Sequence, residues 1–376
     1  MTDLKELREE IDRIDKQMVE LFEKRMQVCG QVAEYKIETG KKVFDREREK
    51  SKIASLTALA DNDFNRHGIE ELFQQIMAMS RKLQYRLLAQ NGVAGRLPFI
   101  AVDEIERKNV RVVFQGVEGA YSQAAMKAYF GEEISTFHVE QWRDAMEAIA
   151  EGSADFAVLP IENSTAGSVN DMYDLLVEFE NYIVGEQIIR CCHELLGVPG
   201  ASLADIKTVY SHPQALSQCR PYLEDHREWK QVPVENTAVA AKKVAEEKDK
   251  TQAAIASGFA GECFGLDVLA EKIYSNEANS TRFIIVTNQR IFRKDADKIS
   301  ICFELPHSSG TLYNILSHFI YNGINMTKIE SRPIFGRNWE YRFFVDFEGN
   351  LNDGAVKNAL RGIREEAMNM RILGNY

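Results

Sequence analysis

Residues 3–39 contain no Pro and a single Gly, Gly30, and place Leu4, Leu7, Ile11, Ile14, Met18, Leu21, Val28, Val32 and Tyr35 on a heptad pattern. That periodicity is the apolar seam of one long helix, roughly 55 Å long at 1.5 Å per residue. A helical domain of about 90 residues is too small to cover such a seam. It therefore predicts a partner helix, most simply the same helix of a second copy. Arg25 occupies the seam position between Leu21 and Val28. An unpaired guanidinium there costs on the order of several kcal/mol. Three readings follow: the side chain snorkels to water, sets helix register, or meets an anion.

The 376 residues, 45% hydrophobic and 27% charged, read as an ordinary soluble protein of two or three domains. No basic or apolar leader opens the sequence, and no uncharged apolar run approaches the length of about 18 residues that a membrane span needs. Neither a secretory signal nor a membrane partner is expected. The six cysteines (Cys29, Cys191, Cys192, Cys219, Cys263 and Cys302) form no Cys-x-x-Cys pair. They read as reduced thiols of a cytoplasmic protein without a structural metal. A net charge of -11 argues against nucleic acid as a partner, and an anionic ligand would need local cationic clusters.

A charged run from Asp45 to Lys50 opens a second helix reaching about Ala60, and a third runs from about Ile69 to Leu88, so an all-α unit ends near residue 90. Residues 91–109 break every periodicity and are expected to form a linker. Residues 110–289 alternate strand-like runs (134–137, 156–160, 182–188, 208–210, 253–256 and 283–287) with helical ones. Such alternation predicts an α/β unit with largely parallel sheets, long enough for two lobes around a cleft. After a second charged break, residues 298–376 follow the order strand, helix, strand, strand, helix, short strand, the ferredoxin-like βαββαβ arrangement. Neither a GxGxxG fingerprint nor a P-loop is present.

Other polar residues bear on Arg25. Lys36 lies eleven residues on and about 20° round the helix, so two cations share a face. Ser80 and Gln84, at i and i+4, interrupt the apolar face of the third helix, and Asp45, Arg48 and Glu49 share a face at the start of the second. The last trio also fits a solvated salt-bridge cluster. Together these residues would build a pocket for a small dicarboxylate carrying a hydroxyl, acting by positioning and electrostatic stabilisation. Arg8, about 100° from Arg25, is better placed for the pocket of a second copy.

In the α/β unit, polar motifs follow strands. The turn Gly116–Ser122 offers backbone amides to an anion, or is a simple βα turn capped by Ser122. Glu162-Asn163-Ser164-Thr165 concentrates a carboxylate, an amide and two hydroxyls in one turn, and Ser211-His212-Pro213-Gln214 precedes Gln218 by one turn. No Gly-x-Ser-x-Gly elbow supports a triad reading of His212.

Arg8, Arg25, Lys36, Asp45, Arg48-Glu49, Ser80 and Gln84 resemble, at matching spacings, the all-helical chorismate mutases, in which two intertwined subunits share the long helix. The resemblance implies Arg25 and a second copy's Arg8 on the substrate carboxylates with Arg48 nearby, Lys36 and Gln84 on the ether oxygen, Glu49 and the Asp45 region on the hydroxyl, and Ser80 in the same pocket. The α/β motifs, with Thr281-Arg282-Phe283, resemble prephenate dehydratase. That implies two hinged lobes like a type 2 periplasmic binding protein. It also implies Thr281 near the leaving hydroxyl, Glu162 and Gln218 as further catalytic groups, and Asn163, Ser164, Ser211, His212 and Arg282 on substrate.

Gly310-Thr311-Leu312-Tyr313 and Glu330-Ser331-Arg332-Pro333 resemble the ACT-type regulatory domain, whose two motifs meet across a dimer interface and hold phenylalanine. The usual string has Ala where Thr311 stands. Taken together, the resemblances imply a bifunctional chorismate mutase and prephenate dehydratase, inhibited by L-phenylalanine and needing neither cofactor nor metal. They imply a homo-oligomer, either a dimer or a dimer of dimers. A dehydratase preferring arogenate, and a non-catalytic amino-acid or carboxylate sensor, stay open at this point.

Overall fold

The computed structural model describes residues 3–91 and 97–376. In chain order its elements begin with three helices, α1 (Leu4–Thr39), α2 (Arg46–Thr57) and α3 (Asp63–Gln90). There follow β1 (Ile100–Val102), β2 (Arg111–Gln115), α4 (Tyr121–Phe130), β3 (Ser135–Val139), α5 (Trp142–Ala150), β4 (Phe156–Asn163), β5 (Gly167–Ser168), α6 (Asn170–Glu178), β6 (Tyr182–Arg190) and β7 (Glu194–Gly197). Next come β8 (Thr208–Ser211), α7 (Pro213–Gln218), α8 (Arg220–Glu224), β9 (Lys230–Pro233), α9 (Thr237–Glu247), β10 (Gln252–Ala256), α10 (Gly258–Phe264), β11 (Asp267–Ala270), β12 (Ser280–Thr287) and β13 (Ile291–Arg293). The chain closes with β14 (Lys298–Glu304), α11 (Thr311–Tyr321), β15 (Met326–Pro333), β16 (Tyr341–Glu348), α12 (Gly354–Glu366) and β17 (Met368–Asn375). Two compact units result: one holds α1–α3 with Asp297–Ile372, the other Phe99–Ala296 with Leu373–Tyr376.

In the first unit the Asp3 side chain caps α1 by accepting from the Lys5 amide, and Gly40 ends it at φ 68°, a left-handed conformation that glycine adopts without steric cost. Of the residues of α1 only Ala33 is buried, and the seam lies open, with Ile11 56% and Leu21 67% exposed. Ala33, Val43, Tyr85 and Leu88 form the small core between α1 and α3. α3 also packs on α12, where Tyr85 Oη donates to Glu365 Oε2 at 2.9 Å, and on α11, where Lys82 Nζ donates to Ser317 Oγ at 2.7 Å. Residues 298–375 run β14-α11-β15-β16-α12-β17, with sheet order β15-β16-β14-β17, which is the expected βαββαβ arrangement.

In the second unit β2 is central to β3 and β4, β4 leads on to β12 and β6, and a separate sheet runs β11-β7-β10-β8-β9. Each sheet has its own core, one built on Val112, Phe114, Met126 and Ile285, the other on Leu195, Val209, Trp229 and Ile255. Gly119, at φ +80°, lets the turn before α4 approach α10: a Cβ there would lie 3.0 Å from Ala260 Cα.

Several expectations need correction. The sheets are mixed: β12 is antiparallel to both β4 and β6, and β7 is antiparallel to both β10 and β11. The expected linker 91–109 contains β1, which pairs with β13 inside the second charged break. The β1 and β13 strands of these segments are therefore part of the second unit's fold, while residues 92–96 of that linker lie outside the described residues. α3 begins six residues before the expected start, at Asp63, and the final strand is eight residues long. The helical region and most of the βαββαβ module fall in the same compact unit. Among the described residues no helix is long and apolar enough to cross a membrane.

Candidate active sites

The helical site gathers around α3. Arg25 donates to Ser80 Oγ, and also reaches Cys29 Sγ at 3.8 Å. Ser80 and Gln84 are buried. Gln84 Nε2 donates to Ser80 O at 3.2 Å, and its buried Oε1 has no partner among the described residues. Such an atom is costly unless something fills the space beside it. Lys36 Nζ donates to Val43 O at 2.8 Å. Burial lowers its pKa, and the nearby Asp45 carboxylate opposes that effect. Asp45 is the N-cap of α2, accepting from the Arg48 amide; both side chains face solvent, as does Arg8 on α1. Glu49 is half-buried, and its Oε2 is held by Arg81, a residue the sequence reading did not select.

The second site is a cleft of about 300 Å³ in the α/β unit, lined by Gly116, Tyr121, Asn163, His193, Gln218 and Thr281 among others. Strand pairing places Thr281 opposite Asn163. Asn163 Oδ1 accepts from the backbone amides of Thr165 at 3.0 Å and Ala166 at 2.9 Å. Its Nδ2 is thereby committed to Thr281 Oγ1 and Asn279 Oδ1, both at 3.0 Å. The polarity then propagates. Asn279 Nδ2 donates to Gln218 Oε1 at 3.1 Å, so the His193 Nε2 that lies 2.8 Å from the same oxygen must carry the proton. That leaves Nδ1 as the acceptor facing Tyr121 Oη at 3.2 Å.

A neutral ring agrees with burial, which lowers the His193 pKa. Burial also pushes the Tyr121 phenol well above its ordinary value and raises the Cys191 thiol. Gln218 Nε2 is buried without a partner among the described residues. With Asn163 donating to it, Thr281 keeps its own proton to give; Cys191 Sγ at 3.2 Å is the neighbour that can exchange with it.

The cleft does not gather every expected residue. Arg282 and Glu162 alternate with Thr281 and Asn163 along paired strands, so they emerge on the opposite face. There Arg282 binds Glu186 at 2.7 Å and Tyr376 Oη at 2.6 Å, with Glu162 at 3.6 Å. Ser211 is fully buried, its Oγ spent on Ile255 O at 2.6 Å. Ser164 is exposed and ties its turn to Ala278 and Ser280. Ser122 is not the cap of α4: Ala120 holds that position, and Ser122 Oγ donates to Gln115 O at 2.5 Å. His212 does line the cleft, capping α7 through Nδ1. The sequence reading missed Tyr121, Cys191, His193 and Asn279, as well as Glu235-Asn236-Thr237 after β9.

In the βαββαβ module, Gly310 caps α11 at φ 78°, and Thr311 Oγ1 donates within its own turn to Pro306 O and Ser308 O. Leu312, the second residue of α11, is half-buried, while Glu330, Ser331, Arg332 and Pro333 end the edge strand β15.

A cation-and-amide pocket in a helical unit, carried on the same chain as a hydroxyl-and-amide cleft between two α/β lobes, defines a protein with two sites for small polar ligands. Known proteins divide in the same place. The sequence profile of chorismate mutase type II matches residues 7–85, and that of prephenate dehydratase matches residues 112–291. A bifunctional chorismate mutase/prephenate dehydratase of Stutzerimonas stutzeri is 34% identical over 99% of this chain and 97% of its own. Among solved structures, a prephenate dehydratase from Arthrobacter aurescens in complex with L-Phe is 33% identical, covering 71% of this chain and 89% of its own with a TM-score of 0.66. Another, described as a novel type of quorum-quenching acylase, is 32% identical over 71% of this chain and 97% of its own, with a TM-score of 0.64. The chain belongs to the bifunctional chorismate mutase/prephenate dehydratase family.

Proposed function

We propose that the helical region rearranges chorismate to prephenate and that the cleft converts prephenate to phenylpyruvate. On this reading Arg25, with Arg8 of a second copy, binds the chorismate carboxylates. Lys36 and Gln84 stabilise the charge that grows on the ether oxygen as its bond breaks, and Glu49 accepts from the hydroxyl. In the cleft, the bond to the departing carboxylate breaks and its electron pair enters the ring. Carbon dioxide leaves, and the ring hydroxyl departs as water once it takes a proton. Thr281 donates to that hydroxyl, and Gln218 Nε2 is the unspent donor for a substrate carboxylate. The observation that carries the reading is the orientation of Asn163, which leaves the Thr281 hydroxyl free to donate.

The βαββαβ module would bind L-phenylalanine through Gly310–Leu312 and Glu330–Pro333 as an ACT-type regulatory domain, acting by binding one state better than the other. The free cysteines support a cytoplasmic setting, and the open α1 seam supports a homodimer. A steady-state assay of both steps with purified protein tests the reading: chorismate alone is expected to yield phenylpyruvate, less of it when phenylalanine is added. Failure to consume either chorismate or prephenate overturns it.

A further inference from the structure

Arg81 is 6% exposed yet carries a full charge. Its guanidinium spans two elements: one nitrogen binds Glu49 Oε2 on α2, and Nε donates to Glu366 Oε1 at 2.9 Å, on the last residue of α12. Glu366 Oε1 also lies 3.1 Å from Nε2 of His318, a ring 2% exposed on α11. Its neighbour Glu365 accepts from Tyr85 Oη on α3 and, at 3.4 Å, from the backbone amide of Phe44 just before α2. The end of α12 therefore grips both α3 and the entry to α2. Removing one member of so buried a set leaves charges that neither water nor protein can satisfy.

We propose that Arg81 is a positioning residue of the mutase site: it fixes the Glu49 carboxylate, and Glu366 of the βαββαβ module anchors it in turn. The inference rests on the assignment of Glu49 to the chorismate hydroxyl. Arg81 takes Oε2, while Oε1 has no donor among the described residues and is left for that hydroxyl. A cavity of about 720 Å³ lies beside the pair, bounded by Arg46 and Glu49 of α2 and by Ser308, Thr311 and Asn314 at the start of α11. The turn that carries Gly310 thus shares a wall with Glu49, and the module is a structural part of the mutase.

A double-mutant cycle in the full chain tests this, with mutase kcat and KM measured by chorismate loss and with dehydration of supplied prephenate as the control for folding. Arg81→Met, which keeps the stem volume, is expected to lower mutase kcat roughly tenfold with a smaller change in KM, and to add less than about twofold in a Glu49→Gln background. The same tenfold loss in that background, or a wild-type kcat for Arg81→Met alone, overturns the proposal. If Arg81→Met does not fold, Glu366→Gln replaces it, keeping an acceptor while removing the charge. It is expected to lower kcat about threefold, again only when Glu49 is present, and an unchanged kcat counts against the proposal. A Glu49→Gln variant at the wild-type rate would instead overturn the assignment of Glu49, and this inference with it.

Discussion

Thr281 shows how a single hydroxyl acquires a direction. Two backbone amides fix Asn163 Oδ1, and Asn163 Nδ2 then occupies a lone pair of Thr281 Oγ1, so the Thr281 proton points to whatever else is near. Thr281→Val keeps the shape and loses the proton. Dehydration of prephenate is expected to fall about 100-fold or more, whereas Thr281→Ser retains most of the rate; phenylpyruvate formation reads both. A Val variant within about threefold of wild type would remove Thr281 from the chemistry. Asn163 was legible because it stands in a dense polar motif at a strand end, whereas Thr281 was reached only through the resemblance of Thr281-Arg282-Phe283 to prephenate dehydratase. The sequence also held a signal against Arg282 and Glu162, since adjacent residues of a strand face opposite ways, and the pairing register confirms that alternation. His193 and Asn279 were not legible: their roles depend on meeting Gln218, which lies 25 and 61 residues away in the chain.

Among the elements, α12 carries more than its amphipathic pattern suggests. Gly362 lies against α11, where a Cβ would come within 2.3 Å of His318 Cε1, and Glu366 follows one turn later. Gly362→Ala would gain about 1 kcal/mol of helix propensity but must displace a fully buried ring, a cost of about 2–3 kcal/mol for overpacking. Net destabilisation is expected, seen as a lower midpoint in urea or thermal unfolding, and with it a loss of mutase activity as Glu366 shifts away from Arg81. An unchanged midpoint would mean that α11 and α12 separate freely. Long elements were the legible ones: α1 repeats its seam over ten turns, and β12 and β16 are eight-residue strands. β1, β13, β7, β9 and β11 are three or four residues long, too short for alternation to register. Sheet direction was misread because β4, β6 and β12 are buried runs, and such runs look alike whether their neighbours are parallel or antiparallel.

For the molecule as a whole, the seam of α1 is a long apolar surface left open to water. Fully burying each Leu or Ile side chain is worth roughly 1.5–3 kcal/mol, and Leu4, Leu7, Ile11, Ile14, Met18, Leu21 and Val28 are all at least 48% exposed. A second α1 laid along this seam would cover them, and under two-fold symmetry each copy would lend the other the same residue. Arg8, exposed on α1 well before Arg25, is that residue if the proposed pocket is shared. Complementation between two inactive chains decides it. Arg8→Ala and Arg25→Ala are each expected to lose chorismate turnover while still dehydrating supplied prephenate. Co-expressed, half of the dimers are mixed, and each mixed dimer rebuilds one complete site while its other site lacks both guanidinia. Chorismate turnover should then return to roughly one quarter of the wild-type rate. If the two arginines served the same chain's pocket, mixing would restore nothing, and a rate still at zero alongside demonstrated mixed dimers would show that Arg8 is not lent to the partner's pocket.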